Sequence, residues 1–499
     1  MKKLITIINF LCLVIIHNHT HAQAGSLDLS FGTNGKVATS LSSTGHSFGT
    51  ASAIQSDGKI LAAGYAYFGS NIDFALTRYK TDGSLDLSFD GDGKVTTDLG
   101  DVYDFCYAVA IQSDGKIVLT GSTANFTKIA VVRYNTNGSI DSTFDMDGIV
   151  IPTLTTIYTQ GYSVAIQSDD KILIAAQSFS GANVDFAVIR LNTNGSLDST
   201  FDTDGIVLAD IYGDDLAYAI SLQSDGKIVV AGTSGMDFSA VRLNTDGSLD
   251  NTFDTDGKVK THISIADEIA TSIAIQSDGK IILAGYTNAA GNVHVLVRYN
   301  TNGSLDSTFD SDGIVLSSNV CSVYGVKVQN DGKIIATGTY PVGSSMDFVV
   351  VRYNTNGSLD LTFDTDGVVT TDFGFGTDDF AYSTSIQNDS KIVVVGHGYN
   401  SSYTNFMVVR YNPDITSSIN NLSEPIYNIY PNPTKGVLNI QNQKNDYSIK
   451  IINIIGQQVY TENCKANKSL IDVQNLPKGI YILTLQSNSK TYTSRFMKE

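Results

Sequence analysis

The segment Ile-Gln-Ser-Asp-Gly-Lys, or a close variant, recurs with its glutamine at Gln55, Gln112, Gln167, Gln223, Gln276, Gln329 and Gln387. Six steps cover 332 residues, about 55 each. A period of that size belongs to propellers and solenoids, in which one unit cannot bury its apolar face without a neighbour. Each unit reads as four short strands of the types Ser-Val-Ala-Ile-Gln, Lys-Ile-Val-Val-Ala-Gly, Asp-Phe-Ala-Val-Val-Arg-Tyr-Asn and Ser-Leu-Asp-x-Thr-Phe. Ser-Asp-Gly joins the first two, and Asn-Thr-Asn-Gly or Asn-Thr-Asp-Gly the last two. Both turns accept the positive φ of a tight hairpin. The two central strands are apolar on both parities, as in a sheet covered on both faces. The sequence therefore predicts an all-β chain whose main body is a seven-bladed β-propeller.

The ends of the array favour a closed ring. The Ser-Leu-Asp segment also occurs seven times, starting at Ser26, Ser84, Ser139, Ser196, Ser248, Ser304 and Ser358. The first copy precedes any unit it could belong to, and the last unit stops at Pro413 without a fourth strand. An N-terminal strand that completes the last blade resolves both. An open solenoid would need capping repeats and would leave sheet edges free to aggregate. The unit resembles the delta-60 repeat, a β-propeller family, and more distantly the NHL-type repeat. Gln-Ser-Asp-Gly-Lys, Arg-Tyr-Asn-Thr-Asp-Gly-Ser-Leu-Asp and Phe-Asp-x-Asp-Gly carry the likeness from Gly25 to about Pro413. It implies the fold and no particular chemistry.

Both termini differ from the array. Met1-Lys2-Lys3, an apolar run from Leu4 to Ile16 and Ala22-x-Ala24 are the three parts of a secretory signal peptide, assigned to residues 1–24. No later run reaches the roughly 18–20 apolar residues of a transmembrane helix. Cys106, Cys321 and Cys464 remain, an odd number at wide spacing, and read as small buried hydrophobes. Residues 25–413 form the propeller, 414–425 a linker and 426–499 a small β-sandwich. The last of these resembles the C-terminal sorting domain of the type IX secretion system of Bacteroidetes. Tyr430-Pro431-Asn432-Pro433, the stretch around Gly456, and Lys478-Gly479-Ile480-Tyr481 carry that match. The resemblance implies the secretion machinery as a partner, and release or attachment at the cell surface.

Net charge is −18, from 32 Lys+Arg and 50 Asp+Glu. The tail carries +4 and the signal +2, which leaves −24 on the array. A surface of that sign repels nucleic acid. Of the acids 46 are Asp and only 4 are Glu, a bias that belongs to turns. Six units carry Phe-Asp-x-Asp-Gly, with acid pairs Asp90/Asp92, Asp145/Asp147, Asp202/Asp204, Asp254/Asp256, Asp310/Asp312 and Asp364/Asp366; the first has Gly32-Thr33-Asn34-Gly35. These read as Asx-turns in a blade-to-blade connection, with calcium as the metal they would hold if they hold one. Every arginine of the array (78, 133, 190, 242, 298, 352 and 410) occupies one repeat position and is expected to bond the Ser-Leu-Asp carboxylate.

The near-identical turns share one face of the disc, and the variable segments Tyr65–Asn71, Ser122–Thr127, Thr339–Ser345 and Gly398–Thr404 share the other. Specific binding needs unrepeated surface on a rigid frame, so the variable face is the binding side. Near the start of the inner strand stand Ser47, Asp104, Thr159, Asp215, Glu268, Cys321 and Asp379. The four carboxylates are expected to ring the channel mouth as a site for a cation or a basic ligand. The array's histidines (His46, His262, His294 and His397) occupy unrelated repeat positions, and no nucleophile-elbow, zincin or phosphate-loop motif occurs. These features lead to an exported, monomeric, non-enzymatic propeller that binds an extracellular protein or glycan. A polysaccharide hydrolase or lyase and a structural adhesion component are the alternatives.

Overall fold

In the computed structural model, residues 23–42, 45–154, 158–179, 181–288, 292–374, 376–400, 402–413, 429–440, 446–453, 457–466, 470–487 and 490–499 are described. The chain divides into two compact units, Met1–Ile415 and Thr416–Glu499. No helix of the described residues is long and apolar enough to cross a membrane.

The first unit consists of seven four-stranded antiparallel sheets. Blade 1 runs Ser47–Ile54, Ile60–Phe68, Asn71–Tyr79 and Lys94–Thr97 from the inside outward, and blades 2 to 6 repeat that order. Blade 7 takes Asp379–Ile386, Ile392–Asn400 and Tyr403–Tyr411 from the end of the array. Its outer strand is Lys36–Thr39, in register Lys36↔Val409 to Thr39↔Phe406. The ring closes through the N-terminal segment. Apolar clusters lie between successive blades, as where Ala130 and Val132 meet Leu61, Ala63 and Leu76.

The boundary of the fourth strand differs from the sequence reading. Ser-Leu-Asp-x-x-Phe forms a turn rather than a strand, touching the third strand through single bridges such as Tyr79↔Leu85 and Leu27↔Tyr411. The fourth strand is the segment after Phe-Asp-x-Asp-Gly. The aspartate decides this, because its Oδ1 accepts the amide and hydroxyl two residues on, as Asp86 does from Ser88. A local Asx-turn competes successfully with a ladder. Phe-Asp-x-Asp-Gly is therefore a turn within each blade and not the blade-to-blade connection.

That turn still links the blades. Its first Asp stands at φ of 44–47° in all six copies, and Gly32 takes the same role at 53°. From that geometry Asp90 donates its amide to Asn137 O of the next blade (2.8 Å), Asp364 to Ala24 O (3.0 Å), and Gly32 to Asp82 O (2.8 Å).

The arginines behave as expected. Arg78 Nε donates to Asp86 Oδ2 at 2.8 Å, and the pairing repeats round the ring to Arg410 and Asp28 at 2.9 Å. Each guanidinium also lies 4.4–4.6 Å from a buried Phe ring, from Arg78 on Phe89 to Arg410 on Phe31. In six blades the guanidinium also donates to a threonine carbonyl of the following blade, as Arg133 does to Thr193 O. These arginines form a buried latch between blades. Cys106, Cys321 and Cys464 are buried, and none of them forms a disulfide among the described residues.

The second unit packs a three-stranded sheet (Ile429–Tyr430, Val437–Ile440, Leu470–Asp472) against a four-stranded one (Tyr447–Asn453, Gln458–Cys464, Gly479–Ser487, Lys490–Lys498). Leu438, Ile449, Ile451, Ile471, Leu483 and Phe496 fill its core.

Candidate functional site

Each inner strand carries one β-bulge at the same place. The register skips one residue between Gly49 and Ala51, and likewise in the other six blades. The skipped residues are Thr50, Tyr107, Tyr162, Tyr218, Thr271, Tyr324 and Tyr382. A bulge frees a residue from the ladder and re-aims its side chain. All seven line the central channel, a cavity of about 520 Å³. The second strand makes room for the bulge with a glycine in six blades. A Cβ on Gly232, for instance, would lie 1.9 Å from Leu216 O.

In blades 1 and 5 the bulged residue is threonine, and there the second strand supplies the phenol instead, as Tyr65 and Tyr286. Every blade thus contributes one tyrosine to the channel. Tyr107 and Tyr162 lie 5.2 Å apart between ring centres, Tyr162 and Tyr218 5.3 Å, and Tyr324 and Tyr382 4.9 Å. Burial, reinforced by the neighbouring phenols, raises the pKa of Tyr286 to about 12, so the ring stays neutral and offers hydroxyl donors. Ser52, Ser163, Ser272 and Ser383 share the lining. Lys327 is the only Lys or Arg of the described lining, and no Asp or Glu belongs to it. Lys327 is open to the channel, and desolvation lowers its ammonium pKa.

A second cavity, about 590 Å³, is lined by His46, Phe48, Tyr67, Phe380, His397 and Tyr399 together with Ser344, Asp378 and Thr404. Three of the variable segments contribute to it, through Tyr67, Ser344, and Tyr399 with Thr404. His397 belongs to both cavities. Its ring packs 4.7 Å from Phe48 and 5.2 Å from Tyr382, and burial lowers its pKa to about 4.

The four carboxylates expected at the channel mouth are not in the channel lining. Asp104, Asp215, Glu268 and Asp379 are at most 1% exposed; the last three begin an inner strand and Asp104 directly precedes one, each at a separate blade junction. There each meets a residue at the start of the preceding blade's third strand and another just after its outer strand. The sets are Asp73, Asp98 and Asp104; Asp185, Asp210 and Asp215; Asp237, His262 and Glu268; and Asp347, Asp372 and Asp379. In each, three ligand-type atoms lie within 4.8 Å of one another.

The partners were missed because they lie about 30 residues apart in sequence, but the repeat register contains a signal. At the other three junctions all three positions change together: Lys128, Thr153 and Thr159; Val293, Ser318 and Cys321; Asn405, Ser40 and Ser47. Burial first, then the neighbouring carboxylates, raises the pKa of Asp73 to about 6. Asp379 rises to about 7, from burial and then Asp372 and Asp347, despite the Phe373 amide it accepts. Asp237 moves down, because hydrogen bonds from His262 and Lys260 outweigh its burial.

The Asp-x-Asp-Gly pairs form no such set among the described residues. Asp92, Asp147, Asp204, Asp256, Asp312 and Asp366 each accept the amide two residues on at 2.9–3.0 Å, the Asx-turn geometry. In the tail, Asn432 accepts the Met497 amide and donates to Arg495 O, both at 2.9 Å. Tyr481 packs 5.5 Å from Phe496, in the strand that Gly479 begins. Tyr430-Pro431 and Asn432-Pro433 are both cis. Gly456 lies outside the described residues.

Sequence comparison agrees with this architecture. The family described as "Domain of unknown function (DUF5122) beta-propeller" matches residues 55–89, 112–144, 167–201, 223–253, 276–309, 329–363 and 387–414. Residues 428–499 match the secretion system C-terminal sorting domain. The chain belongs to the DUF5122 β-propeller family and carries a type IX sorting domain. Such a tail directs a DUF5122 propeller to the cell surface or the exterior. No curated protein matches the sequence.

Among solved structures, the DUF5122 chain is similar to an extracellular domain described as part of a hybrid two component system of B. thetaiotaomicron. Identity is 10%, TM-score 0.40, and coverage 96% of this chain but 58% of that one. A protein of unknown function from Dyadobacter fermentans shows 10% identity and TM-score 0.41 over 75% and 97% of the two chains. The polysaccharide lyase Uly1 shows 12% and 0.45 over 79% and 98%.

Proposed function

We propose that the secreted propeller is a non-catalytic binding module whose site is the tyrosine-lined channel and its opening on the variable face, with an acidic glycan as the ligand class. The supporting observation is the phenol that every blade delivers to the channel, from whichever strand has room for it. Core packing alone would be served by any large apolar side chain, whereas hydroxyl-bearing rings combine a flat apolar face with a donor at the tip. Sugar rings present the complementary surface, and Lys327 adds one positive charge for a uronate or sulfate group. The described residues of the channel lining include no carboxylate pair for glycosidase-type hydrolysis.

A second reading has its own support. His397 is neutral near pH 7, its ring stacks on Tyr382, and Lys327 opens into the same channel. A base, a phenol and a cation are the groups that β-elimination from a uronate requires.

The site is tested by calorimetry of a uronate-rich polysaccharide with the wild type and with Tyr107→Ala/Tyr324→Ala. The double variant is expected to bind at least about tenfold more weakly, as for loss of buried aromatic anchors. Tyr212→Ala, at an exposed position outside the channel, should bind as the wild type does. Lys327→Met should weaken acidic glycans and leave neutral ones unchanged. Equal affinity of the double variant and the wild type would remove the channel from consideration.

A further inference from the structure

We propose that two blade junctions are divalent-cation sites of calcium type: Asp73, Asp98 and Asp104 between blades 1 and 2, and Asp347, Asp372 and Asp379 between blades 6 and 7. In both sets the ligand atoms lie within 4.8 Å of one another. Corners of a triangle with that side lie about 2.8 Å from its centre, so modest closure brings three oxygens to the roughly 2.3–2.6 Å of calcium coordination. The all-oxygen donor set favours a hard cation over zinc.

Orphaned oxygens supply the independent evidence. Asp73 Oδ1, Asp347 Oδ1 and Asp379 Oδ1 are buried without any hydrogen-bond donor, on residues 9%, 5% and 1% exposed. The remaining oxygen of Asp379 accepts the Phe373 amide at 2.9 Å, so Oδ1 is the one left free for a ligand. A buried, charged oxygen with no donor is costly, and an ion is the partner that satisfies several at once. Lys36 reaches the second junction, but its ammonium is bonded to Asp372 O at 2.5 Å and forms no ion pair with the three carboxylates.

The other two acidic clusters differ from these. Between blades 4 and 5, Lys260 Nζ stands 3.1 Å from Asp237 Oδ2 and His262 Nδ1 2.7 Å from its Oδ1, so the protein supplies the cation itself. Between blades 3 and 4 no buried carboxylate oxygen lacks a donor among the described residues. The triplets are either complete or wholly replaced around the ring, which suits a coordination set because one ligand is of little use without the others.

The test uses the full secreted chain, stripped with a chelator and titrated with calcium chloride by calorimetry at neutral pH. About two ions per chain are expected, with a melting temperature roughly 5 °C higher at saturation and restored by chelator. Asp98→Asn, at an exposed position that folding tolerates, should remove one ion, and so should Asp379→Asn. Asp210→Asn, between blades 3 and 4, should remove none. No calcium heat, or a stoichiometry unaltered by Asp98→Asn, would overturn the assignment.

Discussion

A chain lacking residues 23–40 is expected to show no cooperative thermal unfolding and to aggregate, although all seven Gln-Ser-Asp-Gly-Lys-type segments remain. The deletion takes away the outer strand of blade 7, paired from Lys36↔Val409 to Thr39↔Phe406. It also removes Phe31, fully buried in the cluster that joins Ile60 and Ala62 of blade 1 to Val393 and Val408 of blade 7. Loss of a buried Phe side chain costs about 3–5 kcal/mol. Arg410 would lose Asp28, 2.9 Å from its Nε and 382 residues away in sequence, leaving a buried cation unpaired. That costs about 3–5 kcal/mol again. Together these reach the usual stability of a whole domain, about 5–15 kcal/mol. Arg410→Ala alone should lower the unfolding free energy by about 3–5 kcal/mol, read by urea denaturation. A truncated chain that melts as the wild type does would show that the ring does not depend on its clasp.

The second large effect is on the acid side. Asp28, Asp86, Asp141 and Asp360 are held at about 2, and Asp198, Asp250 and Asp306 lie well below the ordinary carboxylate range. Burial alone would raise them. The Ser or Thr two residues on, the repeat lysine and the latch arginine overcome it. A folded-state pKa below the unfolded one gives stability that is complete above the unfolded value near 3.8 and lost as pH falls through the folded value. Each latch contributes stability by this route, so seven act together on a narrow window. Stability should fall steeply between about pH 4 and 2, with uptake of several protons on unfolding. Urea denaturation at a series of pH values measures it. Asp250→Asn, which keeps the shape but not the charge, should make that limb measurably shallower, and an unchanged slope would remove the latches as its cause.

The ring and the arginine latch were legible because the repeat unit and its arginine occur seven times. The clasp was legible because one Ser-Leu-Asp segment precedes the first unit while the last unit lacks its own. The fourth strand was misplaced because Ser-Leu-Asp-x-x-Phe has strand-like composition, while a single aspartate bonding forward to Ser30 or Ser88 turns the chain. The channel tyrosines went unread for a related reason. A bulge shifts the alternation by one residue, and its trace in sequence is a glycine near the end of the second strand, such as Gly64 or Gly232. Asp104, Asp215, Glu268 and Asp379 were found as a register but assigned to the mouth. Their partners come from the preceding blade, and that juxtaposition exists only once the blades are packed.

The proposed role of the channel is to hold an acidic glycan without cutting it. The direct measurement mixes the secreted chain with a panel of acidic and neutral polysaccharides, following retention in affinity electrophoresis and the appearance of reducing or unsaturated ends. Retention by acidic members is expected, weakened in Tyr107→Ala/Tyr324→Ala and in Lys327→Met, with no new ends. Retention of none, or new ends that disappear in His397→Ala, would contradict it.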